Sequence, residues 1–235
     1  MSRAALALKA FLNGMLQDYG FRARGQSGLG FRRKEKHGFS ELWFSSYAIR
    51  AADGHQVIGY GLGVRHDRVD DVVNQLGHIW GESNRRNTTT VSRGMQFYPF
   101  DDRRDGDKII RFDHIEEDAN KVSCDIAAML VQDGFGFFDR YSDIAECSHG
   151  LNEPIEATTH PLCNNYPLRA YYGVAAAAFS EPERVPDLIA KHASYATAPR
   201  VIDNGVYDVA KELSGANAVE ARLRFVAELA LQSRN

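Results

Sequence analysis

The chain has 235 residues, with 28 basic and 31 acidic side chains giving a formal net charge of −3, and 44% of its residues are hydrophobic and 25% charged. That length can bury a sizeable core without disulfides, and the balance excludes collagen-like, coiled-coil and disordered classes. No apolar run approaches the ~20 residues of a membrane-spanning helix, and the apolar residues 4–8 are too few, and too soon interrupted by Lys9, for a signal-peptide core.

The three cysteines, Cys124, Cys147 and Cys163, are an odd, low number, which points to a reducing cytoplasm rather than a disulfide framework. The charge is unevenly spread. Residues 1–36 carry eight Arg or Lys against Asp18 and Glu35, a net +6, which leaves −9 for the rest.

In chain order, Leu8, Phe11, Leu12, Met15, Leu16 and Tyr19 recur at spacings of three and four, predicting a helix over 3–19 that Gly20 ends. The period then shortens. Strands are expected at 21–24, 28–35, 39–50 and 56–66, with Asp53-Gly54 as the turn between the last two. A second helix starts at Asp67 as N-cap, with Asp70 and Asp71 in its first turn and Val69, Val72, Val73, Leu76 and Ile79 on its apolar face. Strands at 86–92 and 108–112 flank a polar loop over 94–107. A helix over 114–132 is expected to break at Gly134 and Gly136. Helices follow at 137–147, 167–179, 183–195, 205–213 and 217–232, with a loop over 148–166. The fold class is α+β: a largely antiparallel sheet packed by helices, followed by a helical C-terminal region. The division falls into a sheet domain over 1–133 and a helical region over 134–235.

Four features carry chemistry. The run Gly59-Tyr60-Gly61-Leu62-Gly63 lacks the spacing of a dinucleotide or phosphate loop. It reads as a strand whose glycine face lets a helix approach closely. In Asp113-His114-Ile115-Glu116-Glu117-Asp118, His114 and Glu117 share a helix face, but Asp113 and Glu116 have the spacing of a capping box, which explains the acids without a metal. Cys147, His149, His160 and Cys163 offer two thiolates and two imidazoles, a set that tetrahedral zinc accepts, so zinc is the one cofactor the residues suggest. Finally, Arg22 and Arg24 share one strand face, as do Arg32, Lys34 and Lys36, with Trp43 nearby. A basic, aromatic sheet face suits an anionic partner. No nucleophile motif is present to name catalytic residues.

The segments Tyr19-Gly20-Phe21, Gly30-Phe31-Arg32-Arg33, the Trp43 strand, Phe137-Phe138-Asp139-Arg140-Tyr141 and the alanine-rich stretch at 170–179 resemble bacterial domain-of-unknown-function proteins that include toxin-immunity-like members. The resemblance implies an α+β sheet domain with a helical tail, and a binding role rather than catalysis. The expectation is a cytoplasmic bacterial binding protein, immunity-like, that recognises a protein partner through its basic N-terminal sheet face. The alternatives are a metal-dependent enzyme and a nucleic-acid-binding module. No membrane association is expected.

Overall fold

The computed structural model describes residues 2–24, 30–47, 55–76, 85–95, 108–157, 160–163, 166–196 and 216–234. Its helices are α1 (Arg3–Gln17), α2 (Asp67–Val73), α3 (Ile115–Met129), α4 (Phe135–Tyr141), α5 (Ile144–Asn152), α6 (Leu168–Ser180), α7 (Val185–Ala196) and α8 (Ala216–Gln232). Its strands are β1 (Arg22–Ala23), β2 (Gly30–Lys34), β3 (Gly38–Tyr47), β4 (His55–His66), β5 (Val91–Met95) and β6 (Lys108–Arg111). The six strands form one sheet in the order β1-β2-β3-β4-β5, with β6 also paired to β4. The pairs β1–β2, β2–β3 and β4–β6 are antiparallel. The fold is α+β, and the C-terminal region is helical. Among the described residues no helix is long and apolar enough to cross a membrane.

The chain forms two compact units that interleave in sequence: Met1–Gly63 with Arg93–Asp139, and Val64–Ser92 with Arg140–Asn235. A single cut near 134 therefore places Val64–Ser92 with the wrong neighbours. Among these residues, α2 has helical partners, α6 and α8, whose sequence lies roughly 100 and 150 positions further on.

In the first unit, α1 begins at Ser2, whose hydroxyl accepts from the Ala5 N–H at 3.2 Å. Its buried stripe is Ala4, Ala5, Leu8, Leu12 and Leu16, facing α3. Tyr19, expected on that stripe, is 44% exposed because the helix has already ended and Gly20, at φ 80°, turns the chain. The inner sheet face presents Phe21, Phe31, Leu42, Phe44, Tyr60 and Leu62. Asp118 of α3 clamps β6: its carboxylate accepts from Arg111 Nε and Nη2, each at 2.8 Å, and from the Arg111 backbone N–H. That pairing holds its pKa down at about 2.

Three local expectations change. Asp113 is not the cap of α3; His114 occupies that position without a side-chain bond, so the capping box does not form. Likewise His66, not Asp67, precedes the first residue of α2. Gly134 does not break the helix. The chain widens into a π-type turn at Leu130–Gly134 and runs on into α4. A Cβ on Gly134 would lie 2.6 Å from Leu130 Cδ2, so the glycine makes room for that buried leucine.

In the second unit every residue of α6 from Leu168 to Phe179 is buried, and α2, α5, α7 and α8 surround it. Its small residues let these neighbours approach. Asn152 of α5 approaches at Gly173, whose carbonyl accepts from Asn152 Nδ2 at 3.0 Å. The helix expected over 137–147 is instead two, α4 and α5, the second capped by Asp143, whose carboxylate accepts from the Ala145 N–H. The strand expected over 86–92 starts only at Val91. The turn at Asp53-Gly54, Ile79, residues 96–107 and the helix expected over 205–213 lie outside the described residues.

Candidate functional site

The antiparallel register builds the basic face from three strands. Arg22 of β1 is paired with Arg32 of β2, which is paired with Glu41 of β3. Lys34 is paired with Phe39, and Gly30 with Trp43. Residues two apart along a strand share a face, so Arg32, Lys34, Phe39, Glu41 and Trp43 lie together, opposite the buried Phe31 and Leu42. Glu41 sits beneath two arginines: Arg24 Nη1 donates to its Oε1 at 3.2 Å and Arg32 Nη2 to its Oε2 at 3.1 Å. The Arg32 guanidinium also lies over the Phe39 ring, 3.8 Å from its centre. Arg22 donates to the carbonyls of Gln17 and Phe21. Of the five cations, Arg22, Arg24, Arg32, Lys34 and Lys36, two pair with the one buried carboxylate, Glu41, which leaves these six side chains net +4.

Two members are placed differently from expectation. Lys36 is exposed but lies in the β2–β3 turn, where Glu35 and Gly38 exchange backbone bonds, so it does not continue the strand row. Trp43 is half-buried and packs flat against β4: a Cβ on Gly61 would come 2.2 Å from its Cζ2. The glycine run is therefore a strand, as expected, but the close neighbour at Gly61 is a tryptophan ring rather than a helix. Arg33 points to the opposite face, among the rings of Phe21, Phe135 and Phe138 at 5.2–5.9 Å.

The Cys/His set does not gather. Cys147 is buried, its Sγ donates to the Tyr141 carbonyl, and burial pushes its thiol pKa far up, away from the thiolate that zinc needs. His149 faces Glu181 and Glu153 and lies 3.0 Å from Arg184 Nη1. His160 is buried in the loop between α5 and α6, with Cys163 half-buried beyond it. Among the described residues no group of three or more His, Cys, Asp or Glu is placed to hold a metal ion. His114 meets Glu117 at 3.3 Å on an exposed surface.

The second unit also buries two charged centres that periodicity does not reveal. Arg65, 5% exposed, is fully engaged: Nε donates to Asp67, Nη2 to Asp71, and Nη1 to Thr88 and the Arg85 carbonyl. Asp70 lies 3.2 Å from the same Nη1 and accepts from Thr90 and Tyr172 hydroxyls. Complete burial nevertheless raises its pKa to about 6, against the pull of Arg65.

Arg169, 1% exposed, has the opposite surroundings. Its Nη2 donates to the Ile155 carbonyl at 2.5 Å, while Nε and Nη1 have no hydrogen bond. The Tyr166 ring lies 5.7 Å away. Burial and the Arg169 charge hold His160 down at about 4 and His192 at about 3, so both imidazoles are neutral near pH 7. His192 Nε2 donates to Asn152 Oδ1 at 2.9 Å, and its Nδ1 has no partner. Tyr166 donates to the His192 carbonyl at 2.6 Å and meets the Tyr195 ring edge-on. One sequence signal marks Arg169: it is the sole charged residue in an otherwise apolar and small-residue helix.

The chain matches no family model, no curated protein and no solved structure in these comparisons.

Proposed function

We propose that this chain is a binding protein whose basic face on β1–β3 recognises an acidic protein partner. The observation that carries the reading is the cross-strand row Arg22–Arg32–Glu41, with Arg24 beside it, Lys34 exposed and Arg32 stacked on Phe39. Arginine and aromatic side chains are the residue types that carry interface energy, and here their rotamers are held by Glu41 and Phe39 before any partner arrives. A folded acidic surface fits this face better than a phosphate backbone does. Outside residues 1–36 the chain carries −9, which opposes a long polyanion. The resemblance to immunity-like proteins and the odd, low cysteine count support a binding role in a reducing bacterial cytoplasm.

The test compares wild type with Arg32→Glu/Lys34→Glu on immobilised poly-glutamate and on oligothymidylate, at about 50 and 200 mM salt. The expected result is wild-type retention on poly-glutamate that the double reversal abolishes. Equal retention of both proteins, or none by wild type, overturns the reading. Stronger retention on oligothymidylate assigns the face to nucleic acid instead.

A further inference from the structure

We infer that Arg169 is the receptor for a small oxyanion, a phosphate or carboxylate group, held where the α5–α6 loop and the start of α6 meet the C-terminal half of α7. The two buried arginines of this unit make the case by contrast. Arg65 is surrounded by the carboxylates of Asp67, Asp70 and Asp71. Arg169 is more deeply buried, yet the groups around it are Tyr166, Tyr195, Cys163, His160 and His192, none of them a carboxylate. A guanidinium carries five N–H donors and stays charged in proteins. Three of those five, on Nε and Nη1, hold no bond here. Leaving a buried charge without a counter-charge costs several kcal/mol, so such groups are normally paired. Among the described residues no side chain supplies that negative charge. A bound anion supplies it.

His192 narrows the chemistry. Asn152 Nδ2 donates to the carbonyls of Ser148 and Gly173, which leaves Oδ1 as the acceptor for His192 Nε2–H. Nδ1 of the neutral ring is therefore a bare acceptor, and it has no partner. A ligand that carries an oxyanion and also a hydroxyl satisfies both vacancies: oxygens accept from Arg169, and an O–H donates to Nδ1. Dihydrogen phosphate, a phosphomonoester monoanion or a hydroxy acid has both; a simple dicarboxylate has only the first. The site is independent of the basic sheet face, which lies in the other unit.

The experiment titrates the whole chain with inorganic phosphate, and separately with malonate, at constant ionic strength balanced by sodium chloride. Melting temperature and calorimetric binding are the readouts. The expected result is a saturable rise of roughly 5–10 °C at a hundred times Kd, present in Arg32→Glu/Lys34→Glu and absent in Arg169→Met. A larger response to phosphate assigns the phosphate class, and a response confined to malonate assigns a carboxylate. No response to either anion, or a response that survives in Arg169→Met, overturns the inference. Should Arg169→Met fail to fold, the buried arginine Nε–H signals of the wild-type protein in nitrogen-15 spectra decide the matter. One such signal moves with the anion, or none does and the inference falls.

Discussion

Replacing Gly173 by alanine would place a methyl group against the buried Asn152 side chain of α5. The new Cβ would lie 2.4 Å from Asn152 Oδ1 and 2.9 Å from its Cγ, both well inside van der Waals contact. Asn152 cannot swing aside without loss. It is 1% exposed, its Nδ2 donates to Ser148 and Gly173 carbonyls, and its Oδ1 accepts from His192. Displacing it gives up three buried hydrogen bonds worth about 1 kcal/mol each. Keeping it forces α5 and α6 apart, at an overpacking cost of about 1–3 kcal/mol. Against this, alanine gains about 1 kcal/mol of helix propensity over glycine. By either route the net expectation is a loss of about 1–2 kcal/mol, or roughly 2–8 °C in Tm for a chain of this size. Urea unfolding followed by circular dichroism measures it. In an Asn152→Ala background the same change should become neutral or stabilising, because the obstacle has gone. A Gly173→Ala protein as stable as wild type, or more so, would refute the reasoning.

Other outcomes follow from the buried charges and the sheet. Arg65→Met should cost about 3–5 kcal/mol in urea unfolding, because it strands the buried Asp70 carboxylate; a smaller loss would mean that Thr90 and Tyr172 suffice. Acid should destabilise the fold. Near pH 5 the unfolded chain protonates His160 and His192 while the folded chain, with values of about 4 and 3, does not; Asp70, at about 6, works in the opposite direction by binding its proton in the folded state. The net is one extra proton on the unfolded chain, so stability should fall by about 1.4 kcal/mol per pH unit on acidification around pH 5. A flat profile, or stability that rises on acidification, would contradict these burial assignments. Gly61→Ala should push the Trp43 ring off β4, red-shifting its fluorescence in a Trp80→Phe background and costing about 1–3 kcal/mol; an unshifted spectrum would show that the ring relaxes in place.

The basic face was legible because it depends on a local rule. Alternation along β2 puts Arg32 and Lys34 on one side and Phe31 on the other, whatever the rest of the chain does. What pairs with those cations was not legible. Glu41 neutralises Arg24 across 17 positions of sequence, and Trp43 lies against β4 because Gly61 leaves space for its ring. The proposed zinc ligands illustrate the same limit. Suitable residue types stand at Cys147, His149, His160 and Cys163, yet the helical frame of α5 sends Cys147 into the core and His149 to the acids of the surface.

The sequence by itself determined the α+β class, the buried stripe of α1, the helical span of α6 and the positive charge of the first strands. Each follows from residue order within one or two turns of chain, where hydrophobic period and side-chain direction are coupled directly. The tertiary structure alone decided that Val64–Ser92 joins the C-terminal helices, that Asp70 meets Tyr172 across 102 residues, and that Arg169 is buried with no carboxylate of the described residues beside it. The reason is physical. The free energy of a buried charge depends on which distant groups surround it, and no local pattern records those neighbours.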